Sequence, residues 1–313
     1  MRPAFLFPGQ GAQITGMGED FRAAFPSVRL RLEQAGSSLG NDLGSLMRKG
    51  PPRLLAETRY AQPAIFALSY AIAELFEARG LCPDFVAGHS LGEFSAACFA
   101  KALSFDAALA LVIERGRLMH EVNVTLDGCM MAVSGIDHAE LAIILDGFKN
   151  EIWLANHNAP TQVVLSGLRC SLQRVASSIA ESGGRSIILD VAGPYHTPLM
   201  GKAAEAFSRS LDAVTLFDPA WPLIANASAE AVMTAALIRA QWSTHMVSAV
   251  NWSGTIQTLY TLGANILLEV GPGRILKGLA QRNQPALPCL SSGTVREFDA
   301  SCRSLEKTLC ASS

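Results

Sequence analysis

Phe85-Val86-Ala87-Gly88-His89-Ser90-Leu91-Gly92-Glu93 runs from a short apolar strand through a glycine-flanked turn into a helix of small residues reaching Ala102. Within it, Gly88-His89-Ser90-Leu91-Gly92 matches G-x-S-x-G, a strand–turn–helix pattern that lifts a serine hydroxyl above the carboxyl edge of a sheet. The two glycines let the backbone reverse without a Cβ clash, and the serine lands at a helix N-terminus. As a bare pattern it is weak, since chance supplies roughly 0.2 matches in a chain of this composition. A second match exists, Gly36-Ser37-Ser38-Leu39-Gly40, but it follows the charged helical stretch Arg29–Gln34 and no apolar strand leads into it. Context therefore selects Ser90 as the candidate nucleophile and rejects Ser38.

Outward from this unit the pattern is α/β. Ala4–Phe7 reads as a buried strand entering the turn Pro8-Gly9-Gln10-Gly11-Ala12-Gln13. Ile65, Leu68, Ile72, Leu75 and Phe76 recur at helical spacing between Pro63 and Gly80, and Phe105–Glu121 is a further helix. Long apolar helices of this kind pack as layers on a parallel sheet. Between residues 127 and 192 the texture changes to strand Cys129–Ser134, helix His138–Phe148, strands Ile152–Asn156 and Gln162–Ser166, helix Ser171–Glu181 and strand Ser186–Val191. That β-α-β-β-α-β order is the ferredoxin-like pattern. It predicts a subdomain at 127–192 inserted into a body made of 1–126 and 193–313. The body continues with a helix over Met200–Leu211, strands Leu223–Ala225 and Asn265–Glu269, and the tight turn Gly271-Pro272-Gly273.

Composition narrows the class. Of 313 residues 50% are apolar and 17% charged, with a net charge of −2. High apolar content with little net charge is the opposite of the disordered signature. The absence of a basic excess argues against nucleic acid. Seven scattered cysteines contain no C-x-x-C pair and the six histidines no H-x₃-H spacing, which disfavours zinc and reads as reduced thiols of the cytoplasm. The charge-free stretch Tyr60–Ala73 has the length of a buried core helix, and Gln241–Leu268 carries too many polar residues to span a bilayer.

A serine nucleophile needs a base supplied from elsewhere in the chain. His89 belongs to the elbow and points away from the hydroxyl, His120 ends a polar helix face, and His138 starts a surface helix. His157, His196 and His245 remain. Of these, His196 lies in Gly193-Pro194-Tyr195-His196-Thr197-Pro198, a rigid turn after an apolar strand, where functional loops belong. Arg115 lies on an apolar helix face with Leu111, Val112, Leu118 and Met119. An unpaired guanidinium there is costly, so it either pairs with an internal carboxylate such as Glu93 or awaits an anionic ligand.

Taken together, several segments resemble the malonyl-CoA:acyl-carrier-protein transacylases, including the free-standing acyltransferases that load polyketide synthases in trans. They are Phe7-Pro8-Gly9-Gln10-Gly11-Ala12-Gln13, Gly88–Glu93, Arg115-Gly116, Asn156-His157-Asn158-Ala159-Pro160, Gly193-Pro194-Tyr195-His196 and Glu269-Val270-Gly271-Pro272-Gly273, in family order across nearly the whole chain. The resemblance implies an α/β-hydrolase-like body with a ferredoxin-like insertion. It implies that Ser90 is malonylated and that His196 is its base, oriented by the backbone carbonyl of Asn251. It implies an oxyanion hole made by the backbone N–H groups of Gln10 and Leu91, and that Arg115 holds the malonyl carboxylate. The substrate would be malonyl-CoA, the acceptor the phosphopantetheine thiol of an acyl carrier protein, with no bound metal or cofactor. Tyr195 departs from the Phe common before the histidine in malonyl-specific members. An aromatic there still crowds an α-methyl branch, and its hydroxyl is a candidate contact for a less usual acyl unit. Arg48, Lys49, Arg53, Arg274 and Lys277 are candidate contacts for an acidic carrier. The competing reading is a hydrolase that strips acyl groups from carriers, for whose neutral chains a buried Arg115 has no use.

Overall fold

Ten strands occur among the described residues, 1–191 and 193–310, of the computed structural model. They are β1 (Pro3–Phe7), β2 (Phe85–Gly88), β3 (Gly128–Ser134), β4 (Ile152–Ala159), β5 (Gln162–Leu168), β6 (Arg185–Ile188), β7 (Leu223–Ile224), β8 (Ala231–Val232), β9 (Ile266–Glu269) and β10 (Cys289–Ser291). Ala192, which closes the expected insertion, residues 311–313 and the side chains of Leu309 and Cys310 lie outside the described residues.

The first sheet has the order β10-β9-β1-β2-β7-β8. Its first five strands are parallel, as the apolar runs predict, and β8 pairs antiparallel with β7. The sheet is thus mixed, because the chain leaving β7 turns back at once through Ala229 (φ 57°) instead of crossing over a helix. Alternation along β1 divides the core. Phe5 and Phe7 face the side of Phe76 and Phe99, whereas Ala4 and Leu6 face Trp252 and Ile256. Each such fully buried large side chain contributes about 1.5–3 kcal/mol.

The helix Thr58–Glu77 supplies most of one face and begins five residues earlier than the Pro63 signal suggested. Pro63 sits inside it, forgoing the one bond its missing N–H would have made. Burial of Thr58, Ala61, Gln62, Ala64 and Ile65 outweighs that loss.

Strands β3 to β6 form a separate antiparallel sheet, ordered β4-β5-β3-β6, with its own core of Cys129, Met131, Leu141, Leu165, Leu172 and Ile179. Its edge strand β4 docks on the body. His157 N donates to Val250 O at 2.9 Å and Val250 N to Ala155 O at 2.8 Å. The carboxyl ends of β1 and β2 and the turn containing His196 are thereby gathered beside the second sheet.

Candidate active site

The turn after β2 is as tight as its glycines require. A Cβ on Gly88 would lie 1.9 Å from the carbonyl carbon of Gly92, and one on Gly92 would lie 2.0 Å from Phe7 O. Ser90 itself is left-handed, at φ 50°, a conformation that costs a non-glycine residue and that marks functional turns. The loop after β1 presses on the same turn, since a Cβ on Gly9 would meet His89 O at 2.3 Å. This brings Gln10 beside the elbow. Among the described residues, the backbone N–H groups of Gln10 and Leu91 find no protein acceptor.

Ser90 Oγ lies 2.8 Å from His196 Nε2. The other ring nitrogen, Nδ1, donates to Ser248 O at 2.9 Å and His245 O at 3.2 Å. Two carbonyl acceptors require the proton on Nδ1, so Nε2 carries the lone pair that accepts from the serine. Burial, reinforced by His245 and Arg115 nearby, holds the His196 pKa well below its ordinary value, keeping the ring neutral. The expected orienting carbonyl of Asn251 is a correction. Asn251 O instead accepts Thr255 N at the start of the helix Trp252–Thr261, and its side chain accepts Gly254 N. The turn at 244–248, closed by Ser248 N donating to Thr244 O, is what aims carbonyls at His196.

Arg115 is 1% exposed. Its Nη1 donates to Gln62 Oε1 at 2.8 Å and its Nη2 to Ser90 Oγ at 3.0 Å, with His245 Nδ1 at 3.5 Å, while its Nε has no partner among the described residues. Burial pushes its pKa down to about 10, so it stays a cation at neutral pH. Glu93 does not pair with it. That carboxylate, also 1% exposed, accepts Trp242 Nε1 at 2.9 Å and Asn226 N at 2.8 Å, with His245 Nε2 at 3.6 Å. Of the two readings of Arg115, the internal carboxylate is thus taken elsewhere.

Tyr195 is buried against this pocket, and its hydroxyl is committed within the protein, at 2.5 Å from both Thr58 Oγ1 and Asn123 Nδ2. Gln10 Nε2 donates to the same Thr58 hydroxyl at 3.1 Å. His89 turns to Asn158 Oδ1 at 2.9 Å, away from the serine, and His157 faces His138. A cavity of about 460 Å³ opens beside Gln10 and His89 toward Asn156, Asn158, Leu189 and Leu276.

Four contributors carried no motif. Gln62 holds Arg115, and the only hint of it was an amide inside a charge-free buried helix. Asn226 bonds the elbow backbone directly, and its hint was its place just past a strand's carboxyl end. His245 and Ser248 act through carbonyls, which leave no trace in side-chain identity.

A serine bonded to a neutral buried histidine, with two backbone amides and a buried guanidinium beside it, is an arrangement able to form an acyl ester and pass it on. Residues 4–284 match the family described as acyl transferase domain, and the chain belongs to that family. It is 38% identical over 284 residues to the malonyl CoA-acyl carrier protein transacylase of Bacillus subtilis strain 168, covering 89% of each chain. It is also similar to the acyl-carrier-protein-S-malonyltransferase of Bartonella henselae (TM-score 0.93, 34% identity, 98% of this chain and 100% of that one). Another similar structure is PlMCAT:AntF (holo), a type II PKS acyl-carrier protein in complex with its malonyl-transacylase (TM-score 0.93, 32% identity, 97% and 100%).

Proposed function

We propose that this chain transfers a malonyl unit from malonyl-CoA to the phosphopantetheine thiol of an acyl carrier protein through an ester on Ser90. The observation that carries the reading is Arg115, a buried guanidinium that has no carboxylate partner among the described residues and donates to the nucleophile itself. Nη1 is taken by Gln62, which leaves the Nε and Nη2 edge as the fork for a carboxylate. An acyl group with a terminal carboxylate satisfies that fork and releases Ser90 Oγ. A neutral acyl group leaves the cation buried and unpaired.

The chemistry follows from the hydrogen bonds. His196 Nε2 takes the Ser90 proton as Oγ attacks the thioester carbon. The Gln10 and Leu91 N–H groups receive the developing oxyanion, each such donor being worth about 3 kcal/mol. Collapse breaks the C–S bond, and the proton on Nε2 passes to the departing CoA thiolate. In the second half the carrier thiol gives its proton to Nε2, attacks the seryl ester, and Ser90 leaves with that proton. The cavity lined by Asn156 and Asn158 would take the pantetheine arm. The Tyr195 ring, held by Thr58 and Asn123, would exclude α-branched acyl units.

Residues 1–126 and 193–313 are read as an α/β-hydrolase-like body and 127–192 as its ferredoxin-like insertion, working in the cytoplasm for polyketide or fatty-acid synthesis. Arg48, Lys49, Arg53 and Lys277 are offered to an acidic carrier, whereas Arg274 is already paired with Glu297.

The test is competition between malonyl-CoA and acetyl-CoA. Arg115→Ala is expected to lower malonyl transfer by about 100-fold or more, the cost of one charged contact made in the transition state, and to raise the acetyl share. An unchanged malonyl-to-acetyl ratio would remove Arg115 as the carboxylate reader.

A further inference from the structure

We infer that Asn226 is the positioning residue that holds the nucleophile elbow in its reactive shape, with Glu93 fixing the orientation of its amide. The inference rests on Ser90 being the acylated residue. Strands β2 and β7 pair in parallel through Val86↔Leu223 and Ala87↔Ile224. Continuing that register places Asn226 beside His89, where the β2 backbone has already swung away into the elbow. The Asn226 side chain takes over. Its Nδ2 donates to Gly88 O at 2.6 Å and its Oδ1 accepts Ser90 N at 2.6 Å. In a parallel ladder, a residue bonds in the same way to the residues before and after its partner. One carboxamide thus replaces a rung and braces the left-handed Ser90 from both sides.

Only one orientation of the amide works, because exchanging its O and N would set donor against donor at Ser90 and acceptor against acceptor at Gly88. Glu93 enforces that choice. Its Oε2 accepts both the backbone N and the Nδ2 of Asn226, and Trp242 Nε1 holds its Oε1. Asn226 is 3% exposed, so these bonds are made away from bulk solvent. The bond to Ser90 N also sets the serine between its two catalytic contacts, His196 and Arg115, and leaves the next amide, Leu91 N–H, for the oxyanion. Asn226 touches no reacting atom and acts through the backbone of Ser90.

Asn226→Asp separates this role from space filling, since it keeps the volume but presents an oxygen to Gly88 O and to the Glu93 carboxylate. Single-turnover acylation by malonyl-CoA, followed by intact-protein mass on the full chain, supplies the rate. Malonyl-CoA affinity is measured in the same variants carrying Ser90→Ala. For both Asn226→Asp and Asn226→Ala, acylation is expected to slow about 100-fold, as for a nucleophile displaced by an ångström, with affinity changed less than about threefold. Asn226→Asp acylating at the parent's rate, or rate and affinity falling together, overturns the inference. Should the Asn226 variants fail to unfold cooperatively, Glu93→Gln decides. It is expected to slow acylation about tenfold, the size of one lost charged hydrogen bond, at unchanged affinity, and a parent-like rate again overturns the inference. A parent chain that takes no malonyl group on Ser90 refutes the transacylase reading itself, whereas a labelled parent with unaffected variants refutes only the role of Asn226.

Discussion

Gly36-Ser37-Ser38-Leu39-Gly40 and Gly88-His89-Ser90-Leu91-Gly92 share a pattern and nothing else. In the first, Ser38 lies exposed in the last turn of the helix Pro26–Leu39, and Gly40 ends that helix at φ 68°. In the second, the serine is strained, half-buried and bonded to a histidine and an arginine. The glycines differ as much. Gly40 has open space where a Cβ would stand, while Gly88 has the backbone of Gly92 there. A pentapeptide acquires chemistry from what the sheet brings against it. Here that is β1 and its loop, β7 with Asn226, and the two turns that carry His196 and its carbonyl partners.

The contrast can be broken most forcefully at the glycines. Gly88→Ala is expected to yield no active, cooperatively folded protein, because a Cβ would fall 1.9 Å from Gly92 C. Gly40→Ala should fold and cost only about 1–2 kcal/mol for its left-handed backbone, read from the unfolding midpoint. Next come the serines. Ser90→Ala should reduce malonyl transfer by at least about 10³-fold in a steady-state assay. Ser38→Ala should leave transfer at the parent's level and change stability by no more than about 0.5 kcal/mol.

The smallest effect sharpens the comparison through pH. His196 must be neutral to act, and its pKa in the fold lies well below 6.5. The single-turnover acylation rate should therefore stay level as pH falls from 8 through 6.5 and decline only at lower pH. A histidine whose pKa is lowered by folding is protonated more readily in the unfolded chain. It therefore subtracts stability as pH drops below 6.5 and subtracts none above it. Acylation that halves near pH 6.5 would show an exposed, ordinary histidine in place of the buried one.

What could be read without coordinates was local chemistry. The Phe85–Gly92 unit announces itself because strand, glycines and helix are contiguous, and the βαββαβ order of 127–192 survives as β3 to β6 with two helices between. Ends moved where packing overrode propensity, as at Pro63, which lies within a helix that buries nearly everything around it. The candidate site was legible in its side chains, since His196 and Arg115, singled out from separate segments, both lie within hydrogen-bond distance of Ser90. It was illegible where a backbone carbonyl contributes, since Ser248 could be any residue, and the resemblance pointed three positions too far along, to Asn251. Gln62 and Asn226 stayed hidden for another reason. Each matters only through partners 53 and 136 residues away, and nothing in the local pattern marks such a pairing.

The central claim is that Ser90 holds a malonyl group in transit between two thiols. Its most direct measurement is intact-protein mass spectrometry of the chain after brief exposure to malonyl-CoA, then after addition of a phosphopantetheinylated carrier protein. The account predicts one malonyl group on the chain, localised to Ser90 and absent from Ser90→Ala, which then disappears as an equal amount of malonyl-carrier forms. Release of free malonate with no malonyl-carrier, or an adduct that persists in Ser90→Ala, would contradict it.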